Sequence, residues 1–434
     1  MTTAAVNLWG TRIAAVTWVE ERDLGFFEYD PEFLSSGIEV APLVMPLSDK
    51  VYSFPQLARG TFFGLPGMLA DVLPDKFGNA VIDAWLASRG RTSASFDPVQ
   101  RLCYTGTRGM GALEFEPAIG GKAQKSHPLD VAGMVELASL VLTDRRTFET
   151  RIAREDSADH SAVRDILRVG TSAGGARAKA VVAWNRSTGE VRSGQVDADS
   201  GFTHWILKFD GVTGNRDKEL EDPGGYCRIE YAYHLMALEA GIEMTECRLL
   251  EEGGRAHFMT RRFDRTDDGR KLHMQSLCAL GHLDFNLAGA HSYEQALMIM
   301  RHLELPVASL EQQLRRTIFN VIGRNQDDHT KNIAFLMDKS GAWSLTPAFD
   351  VTWAYNPSGA WTSRHQMTVN GKRDEIAIED LAALARSASL RRNAAAAIAE
   401  EVGAVVRRWP EFAARAGVPE ERAAAIAATH RRLA

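Results

Sequence analysis

Residues Asn320-Val-Ile-Gly-Arg-Asn-Gln-Asp-Asp-His-Thr-Lys-Asn332 place Asp327 five positions before Asn332. That interval is the one a kinase catalytic loop uses. Its carboxylate orients and deprotonates the attacking hydroxyl, and its asparagine amide oxygen holds a magnesium ion on the phosphates. An isolated Asp-x4-Asn also suits an Asx-rich turn that caps its own backbone. The context favours chemistry. The pair lies between a helical pattern ending near Ile322 and the apolar run Ile333–Met337. Eighteen residues beyond Asn332, Leu345-Thr-Pro-Ala-Phe-Asp350 supplies a further carboxylate where a kinase carries its main metal ligand. The order predicts phosphoryl transfer, with Asp327 as base and Asn332 and Asp350 as metal ligands.

Working outward, a kinase needs a lysine that reaches the α- and β-phosphates, and Lys208 in His204-Trp-Ile-Leu-Lys-Phe-Asp210 is the one cation among apolar strand neighbours. A lysine on an edge strand also serves to block aggregation. Glu230, 22 residues on and within a helical pattern, is the candidate ion-pair partner that would hold Lys208; otherwise it is a solvated helix carboxylate. Upstream, Val169-Gly-Thr-Ser-Ala-Gly-Gly-Ala-Arg-Ala-Lys179 is rich in residues that let backbone amides approach phosphate. It matches neither a Walker pattern nor Gly-x-Gly-x-x-Gly. Its position before Lys208 makes it the candidate nucleotide loop, with Ser172, Gly174, Gly175 and Lys179 as contacts. Arg262, Phe263 and Asp264 stand where an interlobe hinge would meet an adenine edge, or else form a polar turn. His329 and Lys331 flank the base and are counted with the nucleotide-binding group, although a histidine in so polar a loop also serves as a hydrogen-bonding strut.

A chain of 434 residues exceeds one ordinary core, so two or three subdomains are expected. With 45% apolar and 24% charged residues it has a folded composition, and a net charge of −6 implies no general electrostatic grip on nucleic acid. The four cysteines are scattered without metal-ligand spacing, which suggests a reducing compartment. No signal-peptide pattern opens the chain, and the apolar stretch Val131–Leu142 is too short to span a bilayer. A cytoplasmic location is expected.

Strand-like runs are read at Arg12–Val19, Leu24–Tyr29, Ala180–Trp184, His204–Phe209 and Ala256–Arg261. Helical patterns cover Ala80–Ser88, a short piece from Ser161, Arg228–Ala240, Tyr293–Leu303, Leu310–Ile322 and the Ala/Arg-rich tail after Asp380. Gly120 to Pro128 is read as a linker. The expected class is α+β, with a strand-rich half, a helical half and a cleft between two lobes. The boundaries are an N-terminal subdomain at 1–125, an N-lobe at 126–262 and a helical C-lobe at 263–434.

These motifs resemble the HipA family of bacterial serine/threonine kinase toxins. Phe319 to Asn332 is similar to the family's Asn-x-Asp-x-His-x-Lys-Asn signature, and Leu345 to Val351 to its metal-binding segment. Glu230-Tyr231 with Ala240-Gly241-Ile242 resembles the helix after the lysine strand, and Arg262 to Arg265 the hinge. Phe63 to Gly78 resembles part of the amino-terminal subdomain. The resemblance implies a two-lobed kinase-like fold, ATP with magnesium, a protein hydroxyl as acceptor, and a partner antitoxin of the HipB type with a helix-turn-helix that binds operator DNA. Aminoacyl-tRNA synthetases are the implied kind of target. Ser172 matches the family's autophosphorylated serine, with Thr171 a neighbouring alternative. Two positions depart from the pattern: Arg261 stands in place of a glutamate, and Lys76-Phe77 in place of Gly-Trp. A small-molecule kinase and a non-catalytic ATP-binding partner of a DNA-binding antitoxin are the competing readings.

Overall fold

The computed structural model describes residues 1–74, 76–119, 128–143, 166, 170, 177–194, 201–212, 216–217, 220–221 and 224–433. The glycine-rich loop 171–176, most of the 120–128 linker and most of the helical piece expected from Ser161 lie outside them.

An antiparallel sheet opens the fold, in the order Leu24–Tyr29, Thr11–Val19, Thr2–Leu8, Leu113–Glu116. Its inward face (Ala4, Val6, Ile13, Val16, Phe27) packs on short helices, including Gly67–Ala70 and Pro98–Thr105. Alternation along Thr2–Leu8 puts every second side chain in this core.

A second antiparallel sheet runs Cys247–Glu252, Arg255–Arg261, Phe202–Lys208, Lys179–Asn185, Val191–Ser193. Lys179–Ala183 is buried throughout, as expected of a strand covered on both faces. One cover comes from an unexpected source. Helix Lys76–Ser88, early in the chain, buries Phe77, Val81 and Ala84 with helix Val131–Thr143 and with Trp205 and Leu207 of this sheet. Thus Phe77, one of the two departures from the family pattern, is a core residue of the N-lobe.

The C-lobe is helical, built on Tyr293–His302, Val307–Gly323, Ile378–Ser387, Ala394–Val406 and Trp409–Ala416 around one large core, which also takes in helix Tyr226–Glu239 from the stretch assigned in sequence to the N-lobe. Ser292 and Gln295 form a capping box that starts Tyr293–His302. Val307–Gly323 follows Pro306 and stops at Arg324, whose φ of 58° is left-handed. That stop releases the chain into the loop carrying Asp327. A three-stranded sheet, His273–Ser276, Ala334–Met337, Trp343–Leu345, then leads to Asp350.

The first subdomain sits on the C-lobe. Asp71 accepts hydrogen bonds from Ser276 N at 2.7 Å and Ser276 Oγ at 2.9 Å, and Gly67 N donates to His282 Nε2 at 3.0 Å. All four cysteines are buried and unpaired. Among the described residues, no helix is long and apolar enough to cross a membrane.

Candidate active site

Lys208 ends its strand, and the antiparallel register sets it opposite Lys179 on one side and Phe258 on the other. Its Nζ donates to Glu230 Oε1 at 2.6 Å and to Asp350 Oδ1. Three segments far apart in sequence therefore meet at one ammonium. Lys208 is 9% and Glu230 2% exposed, whereas the Asp350 side chain remains 34% exposed. Burial alone would lower the Lys208 ammonium; the carboxylates of Asp350 and Glu230 outweigh it and hold the group above its ordinary value. Desolvation likewise works against the Asp350 carboxylate, and the charges of Lys208 and Lys179 overcome it, depressing that pKa.

Asp350 has a φ of 51°, a left-handed conformation that aspartate tolerates better than most residues. Such backbone strain gathers at functional sites, where the surroundings over-determine it. Here the preceding Phe349 ring packs on Phe263 of the interlobe segment at 5.5 Å, and Lys208 holds the carboxylate.

In the catalytic loop Asn332 Nδ2 donates to the backbone oxygen of Asp327 at 2.9 Å. This contact uses the amide N–H and leaves its oxygen as the candidate ligand atom. Asn332 and Asp350 line one small cavity with Asn325, Asp328 and His329, backed by Gln313 and Arg316. Asp327 Oδ1 accepts a hydrogen bond from Trp361 Nε1 at 2.6 Å, and His329 Nε2 lies 3.8 Å from the same oxygen.

Asp328, the next residue, is the loop's buried anchor. It accepts from Tyr293 Oη at 2.7 Å and Gln366 N at 2.8 Å, and its Oδ2 lies 2.8 Å from His365 Nδ1. Gln366 Nε2 also donates to Trp361 O at 2.6 Å and Gln326 O at 3.1 Å, stitching the segment after Asp350 to the loop. The sequence reading missed Asp328, Trp361, His365 and Gln366. An acidic doublet at 327–328 was visible, but nothing local distinguishes a base from an anchor.

The remaining sequence candidates divide. Lys331 places its Nζ 4.8 Å from the Phe285 ring centroid, and His329 packs on the same ring at 5.3 Å. Arg262 and Asp264 are fully buried and bound to each other at 2.6 and 2.8 Å. Arg265 donates to the same carboxylate at 2.8 Å, and Gly111 N at 2.7 Å. Both arginines also reach Gly109 O, so this ion triad ties the first subdomain to the interlobe segment. Those side chains are committed to the triad, and the backbone is engaged as well: Arg262 N donates to His204 O at 2.9 Å and Leu272 N to Asp264 O at 3.0 Å. Ser172, Thr171, Gly174 and Gly175 lie outside the described residues.

Comparison with known proteins accords with this architecture. The profile of the HipA N-terminal domain matches residues 4–116, and that of the HipA-like C-terminal domain residues 171–409. A Haemophilus influenzae protein named as an unproven kinase is 28% identical over 134 residues, which spans 28% of this chain and 39% of that relative. Among solved structures, HipA in a complex of the Shewanella oneidensis MR-1 toxin–antitoxin system with HipB and operator DNA aligns over 98% of this chain and 94% of its own. Its TM-score is 0.66 at 18% identity, a shared fold. With both of the family's domains matched in order, and the C-terminal one alone spanning more than half of its length, the chain belongs to the HipA family.

Proposed function

We propose that the protein is an ATP-dependent serine/threonine protein kinase, the toxin of a toxin–antitoxin pair. The observation that carries the reading is the convergence of Lys208, Glu230 and Asp350 beside Asp327 and Asn332, from segments up to 142 residues apart. A buried structural role needs one counter-charge for Lys208; here a second, partly exposed carboxylate shares it.

The donor set fits a magnesium nucleotide. Asp350 and the Asn332 amide oxygen would hold the metal, which supplies charge neutralisation at the phosphates when bound. Lys208, kept cationic and held by Glu230, is the group to bind the phosphates, with Lys179 beside it. Asp327 would take the proton of the attacking hydroxyl. The loop around Ser172 is the proposed nucleotide cradle, and Ser172 or Thr171 the proposed self-modified residue. A phosphate there adds about −1.5 to −2 charge next to an anionic nucleotide and would silence the enzyme.

A polypeptide acceptor is proposed over a small alcohol because the family carries this N-terminal domain and the fold matches a HipA captured with HipB and DNA. The same neighbour motivates a helix-turn-helix antitoxin as partner. Phosphoproteomics of cells expressing the wild type beside Asp327→Asn tests the reading. Seryl or threonyl phosphosites specific to the wild type are expected, with an aminoacyl-tRNA synthetase a first candidate target. No difference between the two proteomes would contradict it.

A further inference from the structure

Trp361 lies 34 residues beyond Asp327, on the segment that follows the metal-ligand candidate Asp350, and its indole N–H donates to Asp327 Oδ1. A carboxylate has about four lone-pair sites, so this donor does not exclude a substrate hydroxyl from the base. What it does is fix the carboxylate plane. The indole itself is fixed in turn: Gln366 Nε2 binds the Trp361 carbonyl at 2.6 Å, while Gln366 N is bound by Asp328 at 2.8 Å. Base, anchor and segment thus form a closed circuit through adjacent residues 327 and 328. The neighbouring stretch Pro357–Ala360 is largely exposed, and Trp361 is half-buried.

Resting on the kinase reading, we propose that Trp361 is a positioning residue for the base: its N–H fixes the plane of the Asp327 carboxylate for the incoming hydroxyl.

The test uses Trp361→Phe, which keeps an aromatic ring and removes the donor, in the full-length protein. We expect kcat for phosphoryl transfer to fall about tenfold or more, as for loss of a hydrogen bond to a charged group. KM for ATP should hold, so that the loss falls on kcat alone. An activity-independent arm follows the indole N–H resonances of the nine tryptophans by ¹⁵N NMR. The signal that Trp361→Phe deletes should stand downfield in the wild type and move upfield in Asp327→Ala, where the acceptor is gone. Unchanged kcat in Trp361→Phe, a gain of activity, or an indole signal unmoved by Asp327→Ala would each overturn the proposal. A signal that moves in Asp327→Ala, in a protein that transfers no phosphate, would instead keep the contact and remove the reaction.

Discussion

Lys208 carries the most consequential charge in the site. Replacing Glu230 by Gln leaves the strand and its cation in place, and an acceptor oxygen with them, but removes the counter-charge at 2.6 Å. The expected outcome is a loss of kcat/KM of about 10²-fold, with secondary structure intact by circular dichroism. Lys208→Ala should weaken ATP binding in calorimetry, and because it strands the buried Glu230 carboxylate it should also lower the melting temperature measured without ATP. Unchanged ATP affinity in the folded variant would mean the lysine is structural. The pH behaviour follows from the signs. Lys208 is raised, so its contribution is complete below an unfolded value of about 10.4 and is lost only as pH climbs through the folded one. Asp350 is lowered to about 2, so its contribution is present above an unfolded value near 3.9 and fades as pH falls from there through the folded value. Neither group weakens the site between about pH 5 and 9.

At the scale of elements, the interlobe segment is held by a buried ion triad. Burial alone would raise the Asp264 carboxyl, yet Arg262 and Arg265 hold it well below the usual carboxylate range. Its stabilisation exists above about pH 4 and drains away as acid protonates it. Asp264→Asn strands two buried guanidinium groups and should cost about 3–5 kcal/mol in denaturant unfolding at neutral pH. A loss below about 1 kcal/mol would show the triad to be dispensable. Strands and helices at this scale were readable in sequence because their apolar periods are local: Leu24–Tyr29 is found as expected, and the expected helix Arg228–Ala240 is Tyr226–Glu239. The helix Ala80–Ser88 begins a turn earlier, at Lys76, because Phe77 has an N-lobe core to enter. Asp327, Asn332, Lys208 and Asp350 were legible because their spacing reflects one loop and one strand each. Asp328 and Trp361 were not, since their roles depend on His365, Gln366 and the carboxylate of a distant loop.

Over the whole molecule, the first subdomain and the C-lobe meet without room to spare. A Cβ at Gly67 would collide with the Ala279 backbone carbonyl and the His282 ring of the C-lobe. Backbone cannot yield as a side-chain tip can, so Gly67→Ala should destabilise the protein by about 1–3 kcal/mol and speed proteolysis between subdomain and lobe. An unaltered proteolysis pattern would mean that this docking is loose. Both Cys278 and Met337 of the C-lobe lie in the first subdomain's core, so removing residues 1–116 would bare an apolar face under the catalytic lobe. The domain order is thus a packing fact as well as a sequence one. Phosphoryl transfer is the claim on which the rest depends. The direct measurement incubates purified wild type, Asp327→Asn and Asp350→Asn with γ-labelled ATP and magnesium, and counts label entering protein. The account predicts magnesium-dependent labelling by the wild type and a loss of 10²-fold or more in each folded variant; equal labelling by all three would contradict it.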